Sequence, residues 1–222
     1  MIEGLLVGAA VGLLTAGLAG PILRWLPEPD AEEPKIPYRD LAGARFLLGC
    51  GLLSAGATAI AWLALPRPVQ PLWWVLSSAG LLLATIDART TWLPLRLTRF
   101  AWVLMGAAAL GAAAWTTDGA LALRAAIGAA VAGVLYLLVW WASRGGFGFG
   151  DVRFAPLLGA ATASQSWGLL LWGLTLGTAA GALHGGARLA GRRQGGFPYA
   201  PSMLLGCYLA VLALEIWPGQ GP

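Results

Sequence analysis

The sequence predicts an all-α, polytopic membrane bundle of about eight transmembrane helices, folded as a single membrane domain over residues 1–222. Three observations predict it. Hydrophobic residues make up 58% of the chain and charged residues 11%, with a mean hydropathy of +0.72, against roughly 25% charged residues in soluble domains. The apolar residues fall in long runs bounded by charges and prolines, not in the two-residue alternation of a membrane barrel. The 32 glycines and abundant alanine suit helices that approach closely in lipid, where no hydrophobic drive brings them together.

In chain order the runs are roughly Gly4 to Leu23, Phe46 to Leu65, Leu72 to Ile86, Phe100 to Trp115, Ala120 to Trp141, Val152 to Ala163, Trp167 to Ala187 and Pro201 to Trp217. The first begins Met1-Ile2-Glu3, without a basic leader region, and is followed by Arg24, so it reads as a retained helix. Residues 25–44 contain Pro27, Pro29, Pro34 and Pro37 among Glu28, Asp30, Glu32 and Glu33; this composition predicts an extended cytoplasmic loop between helices one and two. The third run is short. The sixth is too short to cross the hydrocarbon unless it starts inside a protein-lined cavity.

Orientation follows from the cations. With the N-terminus outside and eight crossings, both termini lie outside, and the loops after helices one, three, five and seven are cytoplasmic. Those loops and helix ends hold Arg24, Lys35, Arg39, Arg45, Arg89, Arg96, Arg99, Arg144, Arg153, Arg188, Arg192 and Arg193; Arg67 and Arg124 alone fall outside. This positive-inside bias predicts a multi-pass protein of the inner or plasma membrane. Trp73, Trp74, Trp115, Trp140, Trp141, Trp167 and Trp217 sit near the ends of the runs, as an aromatic belt would. The net charge of +4 and pI of 9.6 are spread over short loops beside lipid headgroups, which argues against nucleic acid as a partner. Cys50 and Cys207 fall inside runs without a CxxC pair, so they read as small packing residues, and no metal site or cofactor is expected.

Ten carboxylates narrow the chemistry. Glu28, Asp30, Glu32, Glu33 and Asp40 fall in the first loop, and Glu3, Asp118 and Glu215 at or near the outer face. What remains is Asp87, at the end of the third run, and Asp151, which closes Gly148-Phe149-Gly150-Asp151. Both lie on the cytoplasmic side, where a carboxylate beside hydrocarbon marks a functional site. Two close carboxylates do not both ionise; one stays charged and activates water while the other keeps its proton for a scissile carbonyl. His184 is the only histidine and reads as structural or interfacial. The run Gly145-Gly146-Phe147-Gly148-Phe149-Gly150 permits φ > 0 and close backbone approach, so an extended substrate fits against it. Its plainer reading is a connector between helices five and six. A phosphate loop is a third reading, which the missing strand before the run and the missing Lys-Ser/Thr after it disfavour.

At these residues the chain resembles the type IV prepilin peptidases, GxGD-type aspartic proteases of the membrane. Ile86-Asp87 with Leu93-Pro94 resembles the family's first-aspartate motif, and Gly148-Phe149-Gly150-Asp151-Val152-Arg153-Phe154 with Leu158-Gly159 its GxGD-x-K/R motif. Phe197-Pro198-Tyr199-Ala200-Pro201-Ser202 before Leu205-Gly206 is similar to its closing segment. The resemblance covers about residues 45 to 217. It implies Asp87 and Asp151 as catalytic residues, with Gly148, Gly150, Pro94 and Arg153 shaping the substrate loop. It also implies prepilins or pseudopilins as substrates, cut at the cytoplasmic face just before their hydrophobic helix. The acidic residues of the first loop are then candidates to attract the basic leader. Two departures stand out: Leu95 occupies a position where members often carry aspartate, and the first loop lacks the two CxxC pairs linked to zinc and N-methylation. Only Ile36-Pro37-Tyr38 and Arg45 resemble that domain, so peptidase activity without methyl transfer is expected. The competing expectation is a proton-coupled transporter using the two aspartates as a relay, which inverted repeats would favour and this sequence lacks.

Overall fold

A computed structural model describes residues 2–28, 36–144, 147–191 and 197–216. Among them are eight helices and no strand: α1 (Ile2–Trp25), α2 (Ala44–Ala64), α3 (Arg67–Thr90), α4 (Leu95–Thr116), α5 (Gly119–Ala142), α6 (Phe149–Gln165), α7 (Trp167–Ala190) and α8 (Ala200–Ile216). The first five are long and apolar enough to cross a membrane. The connection between α1 and α2 is not wholly extended, because Tyr38–Leu41 forms a 3-10 turn that buries Tyr38 and Leu41.

Small residues fix the tightest helix pairs, as expected where lipid gives helices no other reason to associate. In α1 and α2, a Cβ built on Gly12 falls 2.6 Å from the Gly51 carbonyl, and one on Gly8 falls 2.6 Å from that of Ala55. In α5 and α6, a Cβ on Gly128 or Gly159 collides with the facing backbone. The same holds for Gly206 of α8 against Gly177 of α7. Each pair is antiparallel, so the C-terminal ends of α1, α3, α5 and α7 gather with the N-terminal ends of α2, α4, α6 and α8. The opposite end carries Arg67, which binds Glu3 at 3.0 Å, and Arg124, which sits 3.7 Å from Asp118.

The centre of the bundle is α3 with α6. In α3, 72% of the most apolar stretch is buried, against 22–33% in the other four long helices, so α3 is the core and the others face lipid. It starts as a 3-10 turn, runs as α-helix from Gln70, loosens into a π turn over Leu76–Gly80 and resumes as α-helix over Leu81–Thr90. Ser77, within the π turn, bonds the Tyr208 hydroxyl at 2.6 Å, and the Trp73 ring packs edge-on against Tyr208. Gln70 Nε2 donates to the carbonyls of Ala61 (2.8 Å) and Leu65 (2.9 Å), which closes the end of α2. Nearly every residue of α6 from Asp151 to Ser164 is buried. A 17-residue helix reaches about 25 Å at 1.5 Å per residue.

Several sequence expectations change here. The third run is not short: α3 has 24 residues, because it already starts at Arg67 and because backbone hydrogen bonds continue through Asp87 and Arg89 until Thr91 turns left-handed at φ 57° and donates to the Asp87 carbonyl at 2.7 Å. Asp87 therefore sits one turn inside the helix. The sixth helix begins at Phe149, which places Asp151 in its first turn. No described glycine needs φ > 0; the left-handed residues are Thr91, Thr117 and Arg144, and Gly148 has φ −70°. Gly145 and Gly146 lie outside the described residues. Trp115, Trp141 and Trp167 are exposed, whereas Trp73 is wholly buried and belongs to the core instead of a belt. Cys50 and Cys207 are buried free thiols.

Candidate active site

The cavity at the α3–α6 end measures about 700 Å³, and Asp87, Pro94, Gly148, Gly150, Asp151 and Arg153 all line it. All six residues singled out from the sequence are thus brought together. Local chain chemistry explains how. Thr91 ends α3 just after Asp87, and Pro94, with φ −67° and ψ 120°, starts α4 and accepts from Thr98 N at 3.0 Å. The short link holds Leu93 against α6, where a Cβ on Gly150 falls 3.2 Å from the Leu93 Cβ. A larger residue at 150 crowds Leu93 in the link that follows Asp87. Gly148 plays a second part: a Cβ there falls 3.0 Å from Asp151 Oδ2.

Asp87 and Asp151 are the only buried charged side chains among the described residues, at 4% and 7% exposed. They lie close enough for the charge of Asp87 to act on Asp151. Their surroundings differ. Asp87 Oδ2 accepts from the Ala200 amide at 3.1 Å, at the first residue of α8, and the Tyr199 amide also reaches this carboxylate. Asp151 Oδ1 is buried without a hydrogen-bond partner. Helix N-termini carry unsatisfied N–H groups that favour an anion, so the closing segment ahead of α8 serves as a backbone clamp on Asp87.

The rim is cationic. Arg96, Arg99 and Arg153 line the cavity, with the Arg153 guanidinium 4.6 Å over the Phe149 ring and that of Arg96 5.6 Å over the Trp25 ring. The Arg153 carbonyl accepts from Trp102 Nε1 at 2.9 Å. Leu95 also lines the wall, leaving it apolar where the resembling family often has a carboxylate.

Of the first-loop acids proposed to meet a leader, Glu28 lines the cavity, as do Pro27, Tyr38 and Phe197, to which sequence reasoning gave no role there, and it likewise gave none to the Tyr199 and Ala200 amides that serve Asp87. The only signal for Tyr38 was the short Ile36-Pro37-Tyr38 string. The Tyr38 amide donates to Glu28 Oε2 at 3.3 Å. Burial, then the charges of Glu28 and Asp87, push its hydroxyl up to about 12. His184 is exposed and packs edge-on against Phe197, away from the lining. Among the described residues no group of three or more metal-ligating side chains is present.

Fold and cavity together define a class: a polytopic helical membrane protein with two buried carboxylates from separate helices on one cavity. The chain belongs to the type IV leader peptidase family, whose description matches residues 74–214, more than half of its length. Neither a curated protein nor a solved structure matches it significantly.

Proposed function

We propose that this chain is an aspartic endopeptidase that removes the leader from prepilins or pseudopilins at the cytoplasmic face, and does so without methylating the new N-terminus. The observation that carries the reading is the pair Asp87 and Asp151, buried on one cavity in unlike surroundings. A carboxylate that accepts from backbone N–H groups suits the charged form, and one whose oxygen finds no donor suits the protonated form. Asp87 then takes a proton from water as the water oxygen attacks the scissile carbonyl carbon. Asp151 gives its proton to the carbonyl oxygen, forming a gem-diol. Collapse breaks the C–N bond: Asp87 returns its proton to the leaving nitrogen, and a gem-diol hydroxyl reprotonates Asp151. Glu28 at the cavity wall is placed to meet a basic leader, which the three rim arginines on their own repel. The absence of cysteine from residues 25–44 argues against a zinc-folded methyl-transfer module.

The experiment is incubation of the purified protein in detergent with a prepilin bearing a basic leader, followed by mass spectrometry. Leader loss with an unmethylated new N-terminus supports the proposal. Methylation that depends on this protein alone overturns its second half. Orientation is checked by cysteines placed at Thr91 or Arg144, which should label only after permeabilisation, and at Arg67 or Asp118, which should label from outside.

A further inference from the structure

Tyr38 lies outside the stretch that matches the family, residues 74–214, yet it lines the same cavity as both carboxylates. The residue is 2% exposed. Three things hold it: the 3-10 turn Tyr38–Leu41, the packing of that turn on α1, and the bond from its amide to Glu28. Among the described residues its hydroxyl has no hydrogen-bond partner, and it is not sealed off in the way that the Tyr136 hydroxyl is. With burial, then the charges of Glu28 and Asp87, pushing its pKa up to about 12, it keeps its proton at neutral pH. A donor held rigid, protonated and unspent at a cavity wall is satisfied only by what enters the cavity.

We infer, resting on the peptidase reading above, that Tyr38 is a further catalytic residue whose hydroxyl donates a hydrogen bond to the carbonyl oxygen of the peptide bond under attack. It shares that oxygen with the proton of Asp151, so the negative charge that develops there meets two donors. The O–H stays intact throughout; only the hydrogen bond shortens as charge builds.

Tyr38→Phe keeps the buried ring and removes the hydroxyl alone. Expected is a fall in kcat on the order of tenfold to a hundredfold, with KM within about threefold and an unchanged melting temperature. Replacement of Tyr38 by a trifluorotyrosine, whose hydroxyl ionises at lower pH, should restore cleavage at neutral pH and draw the alkaline limb of the rate profile downward. This second variant carries the test if Tyr38→Phe folds poorly. A Tyr38→Phe kcat within about twofold of wild type reduces Tyr38 to a packing ring and overturns the inference. A rise in KM alone overturns it too, by assigning Tyr38 to leader binding. A wild-type protein that cuts no leader overturns the peptidase reading itself, a failure visible before any Tyr38 variant is made.

Discussion

Asp87 and Asp151 share a cavity but not a neighbourhood. Asp87 comes from the interior of the most buried long helix and is clamped by amides at the start of α8. Asp151 comes from the first turn of a short helix and keeps one oxygen bare. In water the two side chains are chemically the same. Backbone placement alone makes one suited to carry charge and the other to carry a proton, so the elements that do not react, α8 behind Asp87 and the Leu93–Gly150 contact behind Asp151, set the division of labour.

The hardest blow to that comparison is removal of either carboxylate. Asp87→Asn and Asp151→Asn should each reduce leader cleavage below about one thousandth of wild type while expression and helicity persist, and the double variant should be no worse than either single one, as for groups that act as a unit. Substantial turnover by either amide breaks the pair. Next in size is Gly206→Leu, which drives a side chain into the Gly177 backbone and lifts α8 with its amides away from Asp87. Overpacking of this kind costs roughly 1–3 kcal/mol, so both the melting temperature in detergent and the cleavage rate should fall. Gly148→Ala is milder, because its Cβ meets only the movable end of Asp151. It should lower kcat on the order of tenfold with the melting temperature unchanged, which separates damage to Asp151 from damage to the scaffold.

The smallest expected effect probes the surroundings of Tyr38 on the same cavity. The folded hydroxyl is raised from 10 to about 12, by burial first and then by the charges of Glu28 and Asp87. Above pH 10 the unfolded chain ionises Tyr38 while the folded chain does not, so stability present below pH 10 drains away as pH climbs toward 12. Wild type should lose a few degrees more than Tyr38→Phe between pH 9 and pH 11, roughly what one kcal/mol moves a chain of this size. Equal losses would mean that the hydroxyl is not held in the buried, carboxylate-flanked position described above.

The eight helices were legible because lipid demands long apolar runs. The two carboxylates were legible because charge in such runs is conspicuous. Less readable was where a helix stops: hydropathy ends the third run at Ile86, but backbone bonding ignores the charge on Asp87 and runs on to Thr90. Of the two uses expected of Gly148 and Gly150, a positive φ is absent, while close approach is present, toward the Asp151 carboxylate and toward Leu93. Tyr38, Phe197 and Ala200 stood out only as parts of segments resembling the family, and their place at the cavity was not legible, because loop residues reach a cavity through tertiary packing that no local pattern records.

The π turn over Leu76–Gly80 bears on which changes of chain length this protein tolerates. A π turn is an α-helix that has absorbed one extra residue locally while the segments on either side keep their facing. In α3 it separates the Trp73 and Ser77 contacts with Tyr208 from the stretch that presents Asp87. Loss of Ala79 therefore removes the slack and leaves ordinary helix, with both faces nearly where they were. Loss of a second residue from 79–86 finds no slack left and swings Asp87 by about 100°, away from the cavity. Between Ala79 and Ile86 a first single-residue deletion is thus tolerated and a second one silencing, even though neither touches a reacting group.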